Sequence, residues 1–323
     1  MRSILLLLFT TLYINLQAQD MAIYQAHVEK GNELYQSKDY KQSAAAYKDA
    51  FDEIDGKARP NDRYNAACSY ALAGNTEMAL YHLVRLAETS SKYRNYEHIT
   101  SDTDLNSLHD DPLWEVLIPS VKANKDEYEK DLDKPLAAML DSVYTTDQQY
   151  RQQINEIEEK YGRDSEEMKA HWSLIQETDS INLIKVQKVL DERGWLGPKV
   201  VGGTGSSALF LVIQHSDLPI QEKYLPMMRE AVKAGNASGS SLALLEDRVA
   251  MRQGKRQIYG SQIGRDQDSG DFYVFPIDDP ANVNERRQSV GLGPIEDYVS
   301  RWDIQWDVEA HIALTKELDA KKE

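Results

Sequence analysis

The 323-residue sequence has little of what several protein classes require. It contains one cysteine, Cys68, which excludes an internal disulfide framework and any zinc site built from several cysteines. Its 37 lysines and arginines face 53 aspartates and glutamates, a net charge of −16, whereas nucleic-acid binding relies on clustered basic residues. The seven histidines are scattered along the chain. We therefore predict no nucleic-acid partner, no metal and no cofactor.

Long apolar runs are also scarce. Beyond residue 18 the sequence has no apolar stretch of about 20 residues, the length that a membrane-spanning helix needs. Residues 1–18 combine Arg2 with an apolar segment from Ile4 to Leu16, a pattern typical of a cleaved export signal. An uncleaved N-terminal anchor is the alternative. A cleaved signal predicts a periplasmic or secreted protein with no membrane span in the mature chain.

Two similar segments, residues 31–50 and 64–86, follow the predicted signal. Both carry small and aromatic residues at corresponding positions, and Gly31 and Ala67 are equivalent positions 36 residues apart. The segments resemble the tetratricopeptide repeat, a helix pair of about 34 residues. The resemblance implies stacked helical hairpins whose concave face binds a protein or peptide partner.

The chain divides into four predicted parts. They are a signal peptide (1–18), a tetratricopeptide-like repeat domain closed by a capping segment (19–134), a helical domain (135–310) and a charged C-terminal tail (311–323). Apolar spacing and capping residues predict most of the second half to be helical. Residues 256–262 and 272–276 flank a turn-rich segment and predict a β-hairpin. The predicted fold class is mostly α: helical hairpins followed by a helical domain with one β-hairpin.

Polar strings recur in the C-terminal half. They are Gln214-His215-Ser216-Asp217, the pair Asp247-Arg248, the segment 254–262 with Gln257, Tyr259 and Gln262, and the segment 286–292 with Arg287. Between residues 136 and 302 these strings resemble a bacterial family, domain-of-unknown-function family 6624. One departure from the family pattern follows Gly194-Trp195, where the proline usually comes directly but this sequence has Gly197-Pro198. The resemblance implies no activity, since none is assigned to that family.

The residue types in these strings suggest a polar site. His215 next to buried surface is suited to a general base, Asp217 to orienting it, and Arg248 to neutralising an anionic substrate. Five further residues are expected to hold the ligand: Gln214, Gln257, Tyr259, Gln262 and Arg287. The alternatives are a histidine that only caps its helix and arginines that only pair with neighbouring acids. The glycine-rich residues 202–207 are either an anion cradle or an ordinary helix start.

Two functions follow from this interpretation. The first is an exported scaffold or binding protein of the cell envelope, with a partner on the repeats and a small anionic ligand in the C-terminal domain. The second is a hydrolase or transferase acting on an anionic substrate, with His215 as general base. An enzyme requires His215, Arg248 and Tyr259 to converge on one cleft, whereas a scaffold does not.

Overall fold

The structure is a computed structural model that describes residues 20–266 and 269–320. The predicted signal peptide lies outside the described residues. The chain forms two compact units, unit 1 (Met1–Lys130) and unit 2 (Asp131–Glu323), so the division falls four residues before the predicted one. The described residues are mostly helical, with a single two-stranded hairpin, as predicted. None of the described helices has the length and hydrophobicity needed to cross a lipid bilayer.

Unit 1 is built from helices connected by short turns. They are α1 (residues 20–36), α2 (Tyr40–Glu53), α3 (Pro60–Leu72), α4 (Thr76–Glu88), α5 (Tyr96–Ser101), a 3₁₀ helix (Thr103–Leu108) and α6 (Pro112–Glu129). The side chains of Asp39 and Asn75 accept hydrogen bonds from the first turns of α2 and α4. These caps satisfy backbone N–H groups that the helices themselves leave unpaired, and they fix where each helix begins.

Small side chains allow the helices of unit 1 to approach closely. Ala44, Ala67 and Ala79 are buried between α2, α3 and α4, and Leu80 and Leu83 pack beside them. The predicted capping segment contributes to the same core with buried side chains: Ile99, Leu105, Leu108, Trp114, Leu117 and Val121. Residues 96–122 therefore close this core, because they cover apolar surface that the first helices would leave in water.

A buried histidine in unit 1 makes its stability depend on pH. His82 is 4% exposed and accepts a hydrogen bond from Arg63 at 3.2 Å on Nδ1. Burial and the charges of Arg63 and Arg85 lower the pKa of His82 to about 4. In the unfolded chain histidine takes up a proton near pH 6.5. Between these values the unfolded state binds more protons, so acid weakens the fold.

We expect the free energy of unfolding to fall by about 2 kcal/mol through His82 between pH 8 and pH 5. Urea unfolding at both pH values measures the change, and the variant His82→Asn isolates it. The asparagine oxygen can still accept from Arg63 but does not titrate in this range. An equal loss of stability in the variant and the wild type would contradict the assignment.

Unit 2 contains nine helices within its described residues and the hairpin. The helices are α7 (Lys134–Arg151), α8 (Ile154–Tyr161), α9 (Glu166–Arg193), α10 (Pro198–His215), α11 (Leu218–Lys233), α12 (Gly239–Arg252), α13 (Val283–Ser289), α14 (Ile295–Val299) and α15 (Val308–Ala320). Strands β1 (Ile263–Arg265) and β2 (Phe272–Val274) pair antiparallel with Gly264 opposite Tyr273. Short 3₁₀ helices precede α13 and follow α14.

The core of unit 2 lies between α7, α9, α10, α11 and α12. Five of its fully buried residues come one from each of these helices: Leu140, Leu190, Leu209, Met228 and Leu245. Helix α10 is interrupted at Gly202, whose φ of 74° is outside the helical region, so the predicted glycine loop at 202–207 belongs mainly to the helix. This packing brings the C-terminal ends of α7, α10 and α12 into the site described below.

Two elements of unit 2 differ from the prediction. Residues 256–262, predicted as the first hairpin strand, form a loop in which only Gln257 makes a bridge, to Ile277, and β1 begins only at Ile263. The loop is irregular because the N–H groups of Ile258, Tyr259 and Ser261 bind the side chain of Asp247 rather than a neighbouring strand. Residues 311–320, predicted as part of a charged tail, lie in α15, where His311 is buried and accepts a hydrogen bond from the N–H of Ile277.

Candidate functional site

His215 is the last residue of α10, and its ring contacts a carboxylate on α7. Nδ1 of His215 lies 3.1 Å from Oδ1 of Asp147, with exposed side-chain fractions of 20% and 1%. Burial opposes ionisation of Asp147, but His215 and Arg151 outweigh it and lower the pKa of this carboxyl below its usual value. An ionised carboxylate can only accept a hydrogen bond, so Nδ1 of His215 carries the hydrogen and donates this bond to Asp147. In the neutral ring Nε2 is then free to act as a base.

Asp147 is itself held in place by three further contacts. Gln148 donates to its Oδ2 at 2.7 Å, and Arg151 lies 3.3 Å from its Oδ1. Arg151 also donates to the Asp147 carbonyl and, at 2.7 Å, to Asp179 on α9. The pair Asp147–His215 is therefore part of a network that joins α7, α9 and α10. A side chain fixed in this way keeps the imidazole in one orientation and one tautomer.

The sequence predicted Asp217, not Asp147, as the carboxylate that orients His215. In the structure Asp217 is exposed and caps α11, accepting from the N–H of Ile220 at 3.3 Å. Asp147 occupies the expected role from a position 68 residues away. Its only sequence signal is the Asp147/Arg151 pair at helical i, i+4 spacing, which does not reveal a distant histidine partner.

Arg248 on α12 is a largely buried cation without an acidic partner. Its Nε donates to Oε1 of Gln262 at 3.0 Å, and no described carboxylate lies within salt-bridge distance. Its two terminal nitrogens bond to no described residue and are not sealed from solvent. Burial lowers the pKa of Arg248, and the nearby charges of Arg252 and Arg151 lower it further. Positive charges from α7 and α12 are therefore close together.

A shared backbone carbonyl links the histidine to the arginine. The amide nitrogens of Gln214 and Gln262 both approach the carbonyl oxygen of Leu244, at 3.4 and 3.5 Å. Gln214 precedes His215 in the chain, and Gln262 is the residue that binds Arg248. Arg252 donates to the carbonyl of Ser216, the residue after His215, at 2.6 Å. Of the predicted site residues, Gln214 and Gln262 thus meet at one carbonyl; His215 follows Gln214 in the chain, and Arg248 binds Gln262.

The buried carboxylate of Asp247 organises the loop that carries Gln262. It accepts hydrogen bonds from the N–H groups of Ile258 at 2.6 Å, Tyr259 at 3.0 Å and Ser261 at 2.9 Å. Burial raises the pKa of Asp247, and these three donors oppose the shift. Because the three N–H groups have no strand partner, the carboxylate replaces a β-ladder and sets the shape of the loop.

Three predicted ligand residues support this loop instead of meeting His215. Gln257 is fully buried and binds the backbone of Gln262 and Phe275. Arg287, 2% exposed, donates to the carbonyls of Tyr259 and Gly293. Burial and the charge of Glu246 raise the pKa of Tyr259, whose hydroxyl lies near that carboxylate. The convergence of Tyr259 with His215 that the enzyme hypothesis requires is not among the observed contacts.

Two arginines that follow Arg248 in the sequence have acidic partners. Arg256 pairs with Asp319 at 2.9 Å, and Arg265 pairs with Glu158 at 2.6 Å. The alternative stated above, that the arginines only pair with acids, therefore fits Arg256 and Arg265. Arg248 and Arg252 differ from them, since neither has a carboxylate within salt-bridge distance among the described residues.

Unit 1 contains a second polar cavity, of about 510 Å³. It is lined mainly by residues of α1, α3 and the segment after α5, with Tyr64 donating to Asp102 at 2.9 Å and Tyr35 donating to Asp104. Cys68, Asp102 and Asp104 have ligand atoms within 4.8 Å of one another, close enough to contact one cation. Burial and both carboxylates raise the pKa of the Cys68 thiol above its usual value.

Comparison with known proteins identifies the C-terminal unit. No curated protein and no solved structure is significantly similar to the chain. The match is to the family of unknown function (DUF6624), and it covers residues 130–308, more than half of the chain. The matched segment includes Asp147, His215, Arg248 and the loop up to Gln262. The chain therefore belongs to the family of unknown function DUF6624.

Proposed function

We propose that the protein is a binding protein whose family domain holds a small anionic ligand. The proposed site, called the anion centre, consists of Asp147, Arg151, His215, Arg248 and Arg252. The observation that carries the proposal is Arg248, whose largely buried guanidinium contacts an amide oxygen but no acid. Burying a cation without a counter-charge costs free energy, and a bound anion supplies that counter-charge.

The chemistry of the centre suits an anion. A guanidinium group presents its donors as a planar fork that matches the oxygens of carboxylate or phosphate. The unused donors of Arg248 are the terminal ones, which form such a fork. The chain as a whole has a net charge of −16. A local cluster of arginines therefore has the opposite sign to the net charge of the chain. This contrast favours binding of an anion as the role of the cluster.

We expect Arg248→Gln to abolish stabilisation by anions. The experiment measures the melting temperature of the purified chain with each member of a panel of anionic metabolites. A ligand of the centre should raise the melting temperature of the wild type but not of Arg248→Gln. Arg229→Gln is the matched control, since Arg229 is paired with Glu246 at 2.7 Å and lies outside the centre. An equal response of the wild type and Arg248→Gln to every anion would refute the proposal.

We also propose that unit 1 is a tetratricopeptide-like scaffold for a protein or peptide partner. Support comes from its successive helix pairs and from the polar cavity, which is lined mainly by the first helix of each pair, α1 and α3, and by the segment after α5. A photo-crosslinking residue at Asn65, in the cavity, should capture a partner. The same residue at Asp49, exposed on α2, should not, and equal capture at both positions would count against the scaffold.

The pair Asp147–His215 favours a second candidate, a hydrolase or transferase acting on an anionic substrate. Nε2 of His215 would be the general base, and Asp147 would hold the ring. His215→Asn tests this role, because the asparagine amide can still donate to Asp147 while the base is removed. An enzyme should then bind its substrate but lose turnover by about 10²–10⁴-fold. Unchanged turnover would exclude His215 as the base.

We propose that the protein is exported to the periplasm or secreted. This proposal rests on the signal-like composition of residues 1–18. N-terminal sequencing of the protein from fractionated cells tests it. A mature chain that begins near Gln19 in the exported fraction supports export, and an intact Met1 in the cytoplasmic fraction contradicts it.

A further inference from the structure

We propose that the chain forms a homodimer through the outward face of α9, with the two copies of this helix antiparallel. The proposal rests on three exposed apolar side chains on one face of α9 and on two charged residues that make the same face complementary to itself. This face contains none of the residues of the anion centre, and the proposal does not depend on that centre.

An apolar stripe lies on the exposed side of α9. Leu174, Ile181 and Ile184 are 46%, 50% and 70% exposed. They follow one another at intervals of seven and three residues, so they share one face of a helix with 3.6 residues per turn. The opposite face is buried, with Ile175 and Val186 only 2% and 0% exposed. Large apolar side chains grouped on one exposed face mark a surface that another protein covers.

The spacing along this face is that of a coiled-coil seam. Steps of three and four residues alternate along five exposed positions: Leu174, Glu177, Ile181, Ile184 and Lys188. Alternating steps of this kind keep side chains on a narrow stripe that can face a second helix over several turns. With 28 residues, α9 is the longest of the described helices and provides a continuous surface for such a contact.

The two charged positions of the seam are not used within the chain. The ion pairs of α9 involve other residues of this helix: Glu166, Lys169, Asp179, Asp191 and Arg193. Glu177 and Lys188 therefore have no ion-pair partner among the described residues. They lie on either side of the two isoleucines, where a second helix would meet both charges.

These charges determine the direction of the second helix. In a symmetric dimer the same face of both copies meets at a two-fold axis. A parallel pair in register would place Glu177 opposite Glu177 and Lys188 opposite Lys188, and like charges repel. An antiparallel pair with its axis between residues 182 and 183 places Ile181 opposite Ile184 and Glu177 opposite Lys188. Each of these contacts occurs twice, so the seam of α9 is complementary to a second copy of itself.

The experiment is sedimentation velocity of the purified chain over a range of protein concentrations. The seam covers only about four turns of helix, so we expect a weak dimer that forms as the concentration rises. Ile184→Glu should weaken self-association by about tenfold or more, because it places a charge in the apolar centre of the contact. Val116→Glu is the matched control, since Val116 is 65% exposed on α6, and it should leave self-association unchanged.

Exchanging the charges tests the antiparallel arrangement. Glu177→Lys and Lys188→Glu should each weaken the dimer, because each single change creates two like-charge contacts. The double variant should regain the affinity of the wild type. In a parallel dimer the same single changes would only replace one like-charge contact with another, so neither would weaken it. Dimerisation that neither single change weakens, or that the double variant does not regain, would overturn the antiparallel arrangement.

Two results would overturn the proposal as a whole. One is a wild-type chain that stays monomeric at every concentration, and the other is a dimer that Ile184→Glu leaves unchanged. Circular dichroism during heating shows whether each variant is folded. If Ile184→Glu does not fold, Ile181→Lys replaces it with the same expected loss of self-association.

Discussion

Replacing Asp247 with alanine is expected to lower the free energy of unfolding by about 4 kcal/mol. Its carboxylate is fully buried and is the acceptor for the N–H groups of Ile258, Tyr259 and Ser261. Alanine leaves these three donors without a partner, each at a cost of about 1–3 kcal/mol, partly relieved when water enters the loop. Urea unfolding followed by circular dichroism measures the loss.

Asp217→Ala is the matched control for Asp247→Ala. Asp217 also accepts from backbone N–H, but it is an exposed helix cap, and removing such a cap costs about 1 kcal/mol. Both aspartates belong to the polar strings of the same domain. Similar losses for the two variants would show that the loop does not depend on Asp247. Asp247→Ala, the variant expected to lose more stability, should also lose ligand binding, because the loop positions Gln262 against Arg248.

Gly260→Ala is expected to destabilise the protein by about 3 kcal/mol. Gly260 has a φ of +67°, and a Cβ atom built there would lie 2.6 Å from Cδ1 of Ile295 and 2.7 Å from Cδ1 of Ile277. Both isoleucines are buried, so they cannot move aside without disturbing their own packing. The substitution therefore combines backbone strain with overpacking, and urea unfolding measures their sum.

Gly254→Ala separates the two contributions. Gly254 has a similar φ of +73°, but a Cβ atom there would have no neighbour within 4 Å. We expect this control to cost about 1 kcal/mol from the backbone conformation alone. The difference of about 2 kcal/mol is then the price of overpacking. If both variants lose the same free energy of unfolding, Ile277 and Ile295 adjust freely and the loop is not tightly packed.

The helices of this protein are predictable because their signals are local. Asp39, Asn75 and Asp133 precede α2, α4 and α7, and each side chain accepts from the first turn of its helix. The hairpin was placed in the right region, but its first strand was displaced. Within the predicted strand 256–262, three N–H groups are paired with Asp247, and the local sequence does not reveal this pairing.

The candidate site was predicted in part. The strings around His215 and Arg248 identified the residues that the structure brings together through the Leu244 carbonyl. The partner of His215 was not identified, because Asp217 is near in sequence whereas Asp147 is near only after α7 packs on α10. Which buried polar residues bind ligand and which hold the backbone also depends on long-range contacts. Arg287 is an example, since its donors are used on carbonyls.

The spacing of the contacts around Asp247 and His215 also orders their formation during folding. Asp247 reaches Ile258 across 11 residues, whereas His215 reaches Asp147 across 68. Closing the longer segment costs about 1.6 kcal/mol more chain entropy, since this cost grows with the logarithm of loop length. The loop can therefore close on α12 early, while the histidine meets its carboxylate only once α7 and α10 have docked. In chains that have formed the Asp247 loop but not the Asp147–His215 contact, Gln262 can already hold Arg248. The ring of His215 is not yet restrained in these chains.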